Sequence, residues 1–575
     1  MTNTASDSIK TAIQLLEWDR DHLMPKGSAA TRDTLLETVA RIDKQGVGTF
    51  IGAAEPTPYR ALESAFRELA ELRAAAGILQ CLAGIHLPEN APEIPGKVLA
   101  ALSGIDHELM TRPEIEAALD AAEADKGNLT PKEQRNLELM RREWIYASAL
   151  DKALVEDLAK AEHECHEVWK EAKKTSDFEA YAPAQQKVLD LCRKKAKKLG
   201  DALGVPPYEA LMGEYAPFVD PQKVSELFAD LGEWLPEVIE EIQAKQPKTP
   251  ELNSRFGKEK QKALAKQVVK ELGYDFNQGL LGDAPHPFCS GDMNETRIFT
   301  RYDDADPFSS LYASIHEAGH AMYAQGALYN ETGQPVDGAL GMDVHESQSM
   351  FWEIPLGCNK SFIKYLTPKL QAQFPEVEWT KEQVFGLVNE VQPSLIRVDA
   401  DRVTYPLHII LRTNIERDLI EGKMEIKDVP ERWNQSMKEL LGVEVPNHAK
   451  GCMQDVHWPH GAFGYFPSYA LGALGATQFM DALEKEKPDV HAKIAAGKFD
   501  DIKAWLNKNV HERGQQLNPD DLFETVTGAP LGTAAYKNFV IRQYGLDRPL
   551  EKTGSRFANR VRGADGKDVA GEMRA

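Results

Sequence analysis

Five consecutive residues carry the first chemical signal. His316-Glu317-Ala318-Gly319-His320 sets two imidazoles four positions apart, with a carboxylate beside the first. On a helix, positions i and i+4 share one face, one turn apart. Two imidazoles so placed can hold one tetrahedral zinc, and the adjacent glutamate reaches a water on the metal rather than the metal itself. Zinc brings such a water to a pKa of about 7, where a carboxylate can take its proton. The chemistry implied is hydrolysis. A third ligand is needed, and His345-Glu346-Ser347-Gln348 offers it: Glu346 lies 26 residues beyond His320 (346 − 320), room for a loop and a returning helix. Two histidines and one glutamate with an open fourth position form a known catalytic zinc set. A second pair, His163 and His166, has i, i+3 spacing but no third ligand and reads as helix-surface histidines.

These residues need elements to hold them. Asp306-Pro307 is a helix start and Gly326 a helix end, so the HExxH motif falls inside one predicted helix. Gly319 weakens a helix interior by about 1 kcal/mol relative to alanine, which fits close approach of another group. Just upstream, residues 294–302 alternate β-branched and aromatic side chains at 296, 298, 300 and 302, a strand signal. Most of the remainder reads as helix. Thr130-Pro131-Lys132-Glu133 and Thr380-Lys381-Glu382-Gln383 are capping boxes, and Leu137, Met140, Trp144 and Ala147 form an apolar stripe. Asp220-Pro221 opens another helix, with Val224, Leu227, Phe228 and Leu231 on its buried side.

The whole-chain numbers narrow the function classes. With 42% hydrophobic and 27% charged residues, the 575-residue chain has the composition of a folded protein. Its 89 acids against 67 bases give a net charge of −22, which argues against nucleic-acid binding. No run approaches the roughly 18–20 apolar residues of a spanning helix, so no membrane residence is expected. The N-terminus contains acids and lacks an apolar signal region, and the six cysteines are scattered without a CxxC pair; both point to a cytoplasmic address. No internal repeat or Gly/Ser linker divides the chain. Residues 1–550 read as one body, and 551–575, with four glycines, six basic and four acidic residues, as a flexible tail.

Several segments together resemble the M32 carboxypeptidases, metallopeptidases of the thermostable-carboxypeptidase type. They are WDRDHLMPKGSAATR from Trp18, His286-Pro287-Phe288, HEAGH, HESQ at 345–348, IRVDAD at 396–401, GCMQDVHW at 451–458 and GAFGYFPSYALG at 461–472. The resemblance implies a mainly α, two-lobed body around a long central cleft, with a small β-sheet beside the active-site helix, similar to neurolysin and angiotensin-converting enzyme. It implies peptide substrates shortened one residue at a time from the C-terminus. One zinc per chain (cobalt as an alternative) and a homodimer are implied as well. His316, His320 and Glu346 map to the metal ligands and Glu317 to the general base. The chain departs from the family pattern at Glu295, Phe299, Met350 and Arg402. None of these touches the metal set, but all bear on substrate recognition.

The remaining roles follow from what peptide hydrolysis requires. Charge on the carbonyl oxygen needs donors, and His457, Tyr465 and Tyr469 are the candidates. A free α-carboxylate needs a planar cation; Arg397 is the first candidate, with an ion pair to Asp401 as its structural alternative. Arg297 and His286 are further substrate-binding candidates beside the strand, whose edge is expected to take a peptide as an added strand. Two other readings stay open: an oligopeptidase or dipeptidyl-type enzyme with the same chemistry, and a catalytically silent peptide-binding relative.

Overall fold

The structure, a computed structural model, describes residues 3–23, 29–45, 55–85, 96–292, 295–328 and 332–551. The expected tail, beyond its first residue, and Met24-Pro25 of the first family segment lie outside these. The described chain is mainly helical, and the helix starts follow local chemistry. Thr130 and Thr380 each form a capping box, accepting from the backbone N–H three residues on while that residue's side chain returns the bond. Asp220 caps Pro221–Lys245, which buries Val224, Leu227, Phe228 and Leu231. Among the described residues, no helix is long and apolar enough to cross a membrane.

Buried apolar side chains separate into two large clusters. One gathers residues from Ile9 to Met140, the other residues from Leu154 to Leu546. Between them stands a three-stranded sheet: β1 (Gly279–Asp283), β2 (Phe288–Asp292) and β3 (Glu295–Thr300), in the order β1-β3-β2. β3 runs parallel to β1 and antiparallel to β2. The expected strand is thus present, but its expected role is corrected. β3 is central, both its edges are paired and all six of its residues are buried, so no peptide can add to it. The sheet packs against the helix Pro307–Gly326 on β2 and β3 and against Pro58–Ala83 on β2.

Arg297 on β3 is corrected too. It does not face a substrate cleft. Its two terminal nitrogens donate to Asp19 at 2.7 Å each, and it also pairs with Glu295. Arg32 completes a buried quartet, donating to Glu295 at 2.7 Å and meeting Asp19 at 2.9 Å. Two cations and two anions, all nearly sealed from water, tie the first two helices to the sheet. Removing one member of such a set leaves an uncompensated buried charge, which costs about 3–5 kcal/mol. Phe299, another departure, stacks on Phe288 with ring centroids 4.7 Å apart.

Three helices set the geometry of the site. Met342–Phe351 is clasped between Pro307–Gly326 and Pro467–Glu486. Glycine makes both contacts possible. A Cβ on Gly319 would stand 2.5 Å from Ser349 Cα, and one on Gly472 would stand 2.4 Å from Glu346 Cβ. The helix interior tolerates Gly319 because only a residue without a side chain lets the two backbones approach. Past Phe351 the chain makes one π-helical turn, Trp352–Leu356, which contains Pro355. Wide turns of this kind recur at functional sites.

Candidate active site

Asp306 caps the HExxH helix by accepting from the Phe308 N–H at 2.8 Å, with Pro307 in its first turn. One turn separates His316 from His320, so both rings project on one face. Glu346 reaches the same point from the clasped helix. Its Oε2 lies 3.5 Å from His316 Nε2 and 3.7 Å from His320 Nε2. All three ligand atoms lie within 4.8 Å of one another. Ligands at 2.0–2.2 Å around a tetrahedral zinc stand about 3.3–3.6 Å apart, so the separations of Glu346 from the two imidazoles are close to those such an ion needs. Its chemistry, two imidazoles and one carboxylate, matches a catalytic zinc site.

The outer partners are specific. His316 Nδ1 donates to Glu353 Oε2 at 2.7 Å, which turns its Nε2 lone pair to the shared point. His320 Nδ1 lies 2.6 Å from His345 Nδ1. Ser349 Oγ donates to Glu346 Oε2 at 3.2 Å. Glu317, buried beside the first ligand, is pushed up to about 7. Burial is the main cause; the His316 charge opposes it, and Glu346 and Glu353 add to it. A cation held by the three ligands would pull it back toward the carboxylate form.

Behind this set lies a cluster of aromatics and arginines. His457 Nε2 is 3.3 Å from the Tyr469 hydroxyl, and the His457 and Tyr465 rings are 5.5 Å apart. Burial pushes His457 down to about 4, against the pull of Asp455 and with the repulsion of Arg397. It is therefore a neutral imidazole near pH 7. Both tyrosines keep part of their surface open and feel the charge of Glu346. Arg397 opens a single 3-10 turn, Arg397–Asp399, not an α-helix, and its ion-pair partner is Asp455 rather than Asp401. The Asp401 carboxylate instead accepts from the backbone of Gln392, Val403 and Thr404. Arg397 Nη1 donates to the Tyr405 hydroxyl at 3.0 Å, and its guanidinium lies 5.2 Å from the Tyr469 ring. Burial works against ionising Asp455, but Arg412 and Arg397 outweigh it and hold the carboxyl well below its usual range.

Other candidates are not gathered here. His286 is exposed in the turn between β1 and β2. Arg402 donates to the Val388 carbonyl at 2.6 Å, and Met350 is buried. His163 is exposed, while His166 packs against His460 at 4.5 Å; among the described residues the only triad of potential metal ligands is His316, His320 and Glu346. Glu353, Asp455 and Arg412 escape a reading of the sequence. Glu353 stands 37 residues from His316 (353 − 316) with no local mark. The Gln-Asp pair inside GCMQDVHW was the one visible pointer to Asp455.

Comparison with known proteins agrees with this geometry. The model of the family described as Carboxypeptidase Taq (M32) metallopeptidase matches residues 61–544. "Thermostable carboxypeptidase 1" of Thermus thermophilus is 32% identical over 502 residues, covering 84% of this chain and 98% of that protein. "Carboxypeptidase 1" of Bacillus subtilis is 32% identical over 464 residues, covering 80% and 92%. The solved structure of Trypanosoma cruzi metallocarboxypeptidase 1 superposes with a TM-score of 0.82 at 34% identity, covering 85% of this chain and 99% of that one. The chain belongs to the M32 family of metallocarboxypeptidases.

Proposed function

We propose that His316, His320 and Glu346 hold one zinc ion per chain, and that this site removes single residues from peptide C-termini with Glu317 as the general base. The carrying observation is the convergence of two imidazole Nε2 atoms and one carboxylate oxygen beside a buried, proton-accepting glutamate. When bound, zinc supplies Lewis-acid polarisation of the scissile carbonyl and acidifies a water. Glu317 takes the proton of the attacking water and passes it to the leaving amine. His457, Tyr465 and Tyr469 donate to the developing oxyanion; a neutral His457 does so through an N–H without needing protonation. Arg397 receives the substrate α-carboxylate. Asp455 occupies two of its nitrogens, while Nη1 meets only a neutral phenol that a carboxylate can displace. His286, exposed on its turn, is free to meet the substrate chain.

The family resemblance favours a two-lobed body over residues 1–550 around a long central cleft, like that of neurolysin and angiotensin-converting enzyme. Six free cysteines fit a cytoplasmic setting, and the family resemblance favours a homodimer.

The test is Glu317→Gln. The variant should bind zinc at one ion per chain by elemental analysis and lose at least about a hundredfold in kcat, the usual scale for a general base. Full activity would remove Glu317 from the role; absence of zinc from the unsubstituted protein after loading would remove the site.

A further inference from the structure

The two histidine ligands are held by different kinds of partner. His316 leans on a carboxylate. His320 leans on the ring of His345, and the protons on that pair can be placed by elimination. Nε2 of His320 is the nitrogen on the Glu346 side, 3.7 Å from Oε2. To bind a cation it must present a lone pair there. A neutral imidazole carries its one proton on the other nitrogen, so His320 Nδ1 bears the hydrogen. The atom 2.6 Å away is His345 Nδ1. That nitrogen is placed to accept it, beside the His345 backbone carbonyl that also faces the His320 ring; His345 then carries its own proton on Nε2.

The His345 ring is fixed for this task. Its centroid lies 4.7 Å from that of His320 and 5.0 Å from that of Tyr323. Tyr323 stands on the HExxH helix three residues past His320, and its hydroxyl accepts from the Leu340 N–H at 3.0 Å. His345 also directly precedes Glu346. One dipeptide thus supplies a ligand and the holder of another ligand, and Gly319 and Gly472 clasp the helix that carries both.

We propose that His345 is a positioning residue for the metal site: a neutral hydrogen-bond acceptor that fixes the tautomer and rotation of His320. This rests on the zinc reading above. A carboxylate at this place would add negative charge to a site that already holds Glu346, Glu317 and Glu353. An imidazole fixes the ring without that charge, so a bound cation keeps more of its Lewis acidity.

The experiment compares His345→Leu, which fills the space but cannot accept, with His345→Asn, whose side-chain oxygen can. Zinc affinity of each metal-free protein is measured by chelator competition, together with the visible spectrum of the cobalt-loaded form. His345→Leu should weaken zinc binding about 10–100-fold and alter the cobalt spectrum. His345→Asn should keep both close to those of the unsubstituted protein. The proposal is overturned if the leucine variant binds zinc as tightly as the unsubstituted protein with an unchanged cobalt spectrum. It is also overturned if both variants lose affinity equally, because that would be packing alone. Failure of the unsubstituted protein to bind zinc would instead bring down the reading on which the proposal rests.

Discussion

Single residues decide whether this site acts on chain ends. Arg397 is proposed to receive the substrate anion at Nη1 in exchange for the Tyr405 hydroxyl, and hydrogen bonds to charged groups are worth about 1.5–3 kcal/mol. Arg397→Gln should therefore lower kcat/KM for free-acid peptides about 10–100-fold and leave C-terminally amidated peptides nearly unchanged. Equal losses on both substrates, measured by steady-state kinetics, would mean that Arg397 serves only the fold. The ligands were legible in sequence because helical periodicity fixes what four residues' spacing means. Glu353 and Asp455 were not, because their partners are chosen by tertiary packing across distances that leave no local trace. Arg297 misled for the same reason. An arginine on a strand beside the active helix reads as substrate-facing until Asp19 and Arg32, from the other end of the chain, arrive to pair with and beside it.

At the scale of elements, the decisive contact is the crossing of the HExxH helix and the Glu346 helix. A methyl group at position 319 has no room, since its nearest neighbours are backbone atoms of Ser349 and Gln348. Gly319→Ala should force the helices apart, cost about 1–3 kcal/mol as overpacking does, and carry Glu346 away from the two imidazoles. Thermal melts should show the loss of stability, and chelator competition a parallel loss of zinc affinity. A variant of normal stability and affinity would mean that the crossing is slack. The sequence marked Gly319 as a place of close approach but could not name what approaches. It also marked β3 as a strand. Its central place depends on β1, whose Gly-Leu-Leu-Gly-Asp carries neither alternation nor β-branched residues and so gives no strand signal.

The whole molecule adds buried titratable groups to this picture. His408 and His511 are fully buried and pushed down to about 3, burial being the main cause in each. An unfolded histidine titrates near 6.5. Between about pH 6.5 and 3 the unfolded chain therefore binds protons that the native chain refuses, and stability falls as pH falls through that window. The slope approaches about 1.4 kcal/mol per pH unit for each histidine. Buried Glu317, Asp343 and Glu416, raised to about 7 mainly by burial, act in the opposite sense over the same range, so the histidine contribution is read by difference. In urea melts of the metal-free proteins, the unsubstituted chain should lose stability relative to a His408→Gln variant as pH falls from 7 to 5, and parallel curves would contradict it. Separation of the core into clusters before and after residue 150 could not be read from helical stripes alone, because a stripe shows that a helix is buried but not against which neighbour. A metal site with an arginine anchor should work from the free carboxyl end of a peptide. Mass spectrometry of one peptide in free-acid and amidated forms decides this. The free acid should give a ladder of single-residue losses, stopped by a chelator, and the amidated peptide should stay nearly intact; internal fragments, or equal cleavage of both forms, would rule out an arginine-anchored exopeptidase.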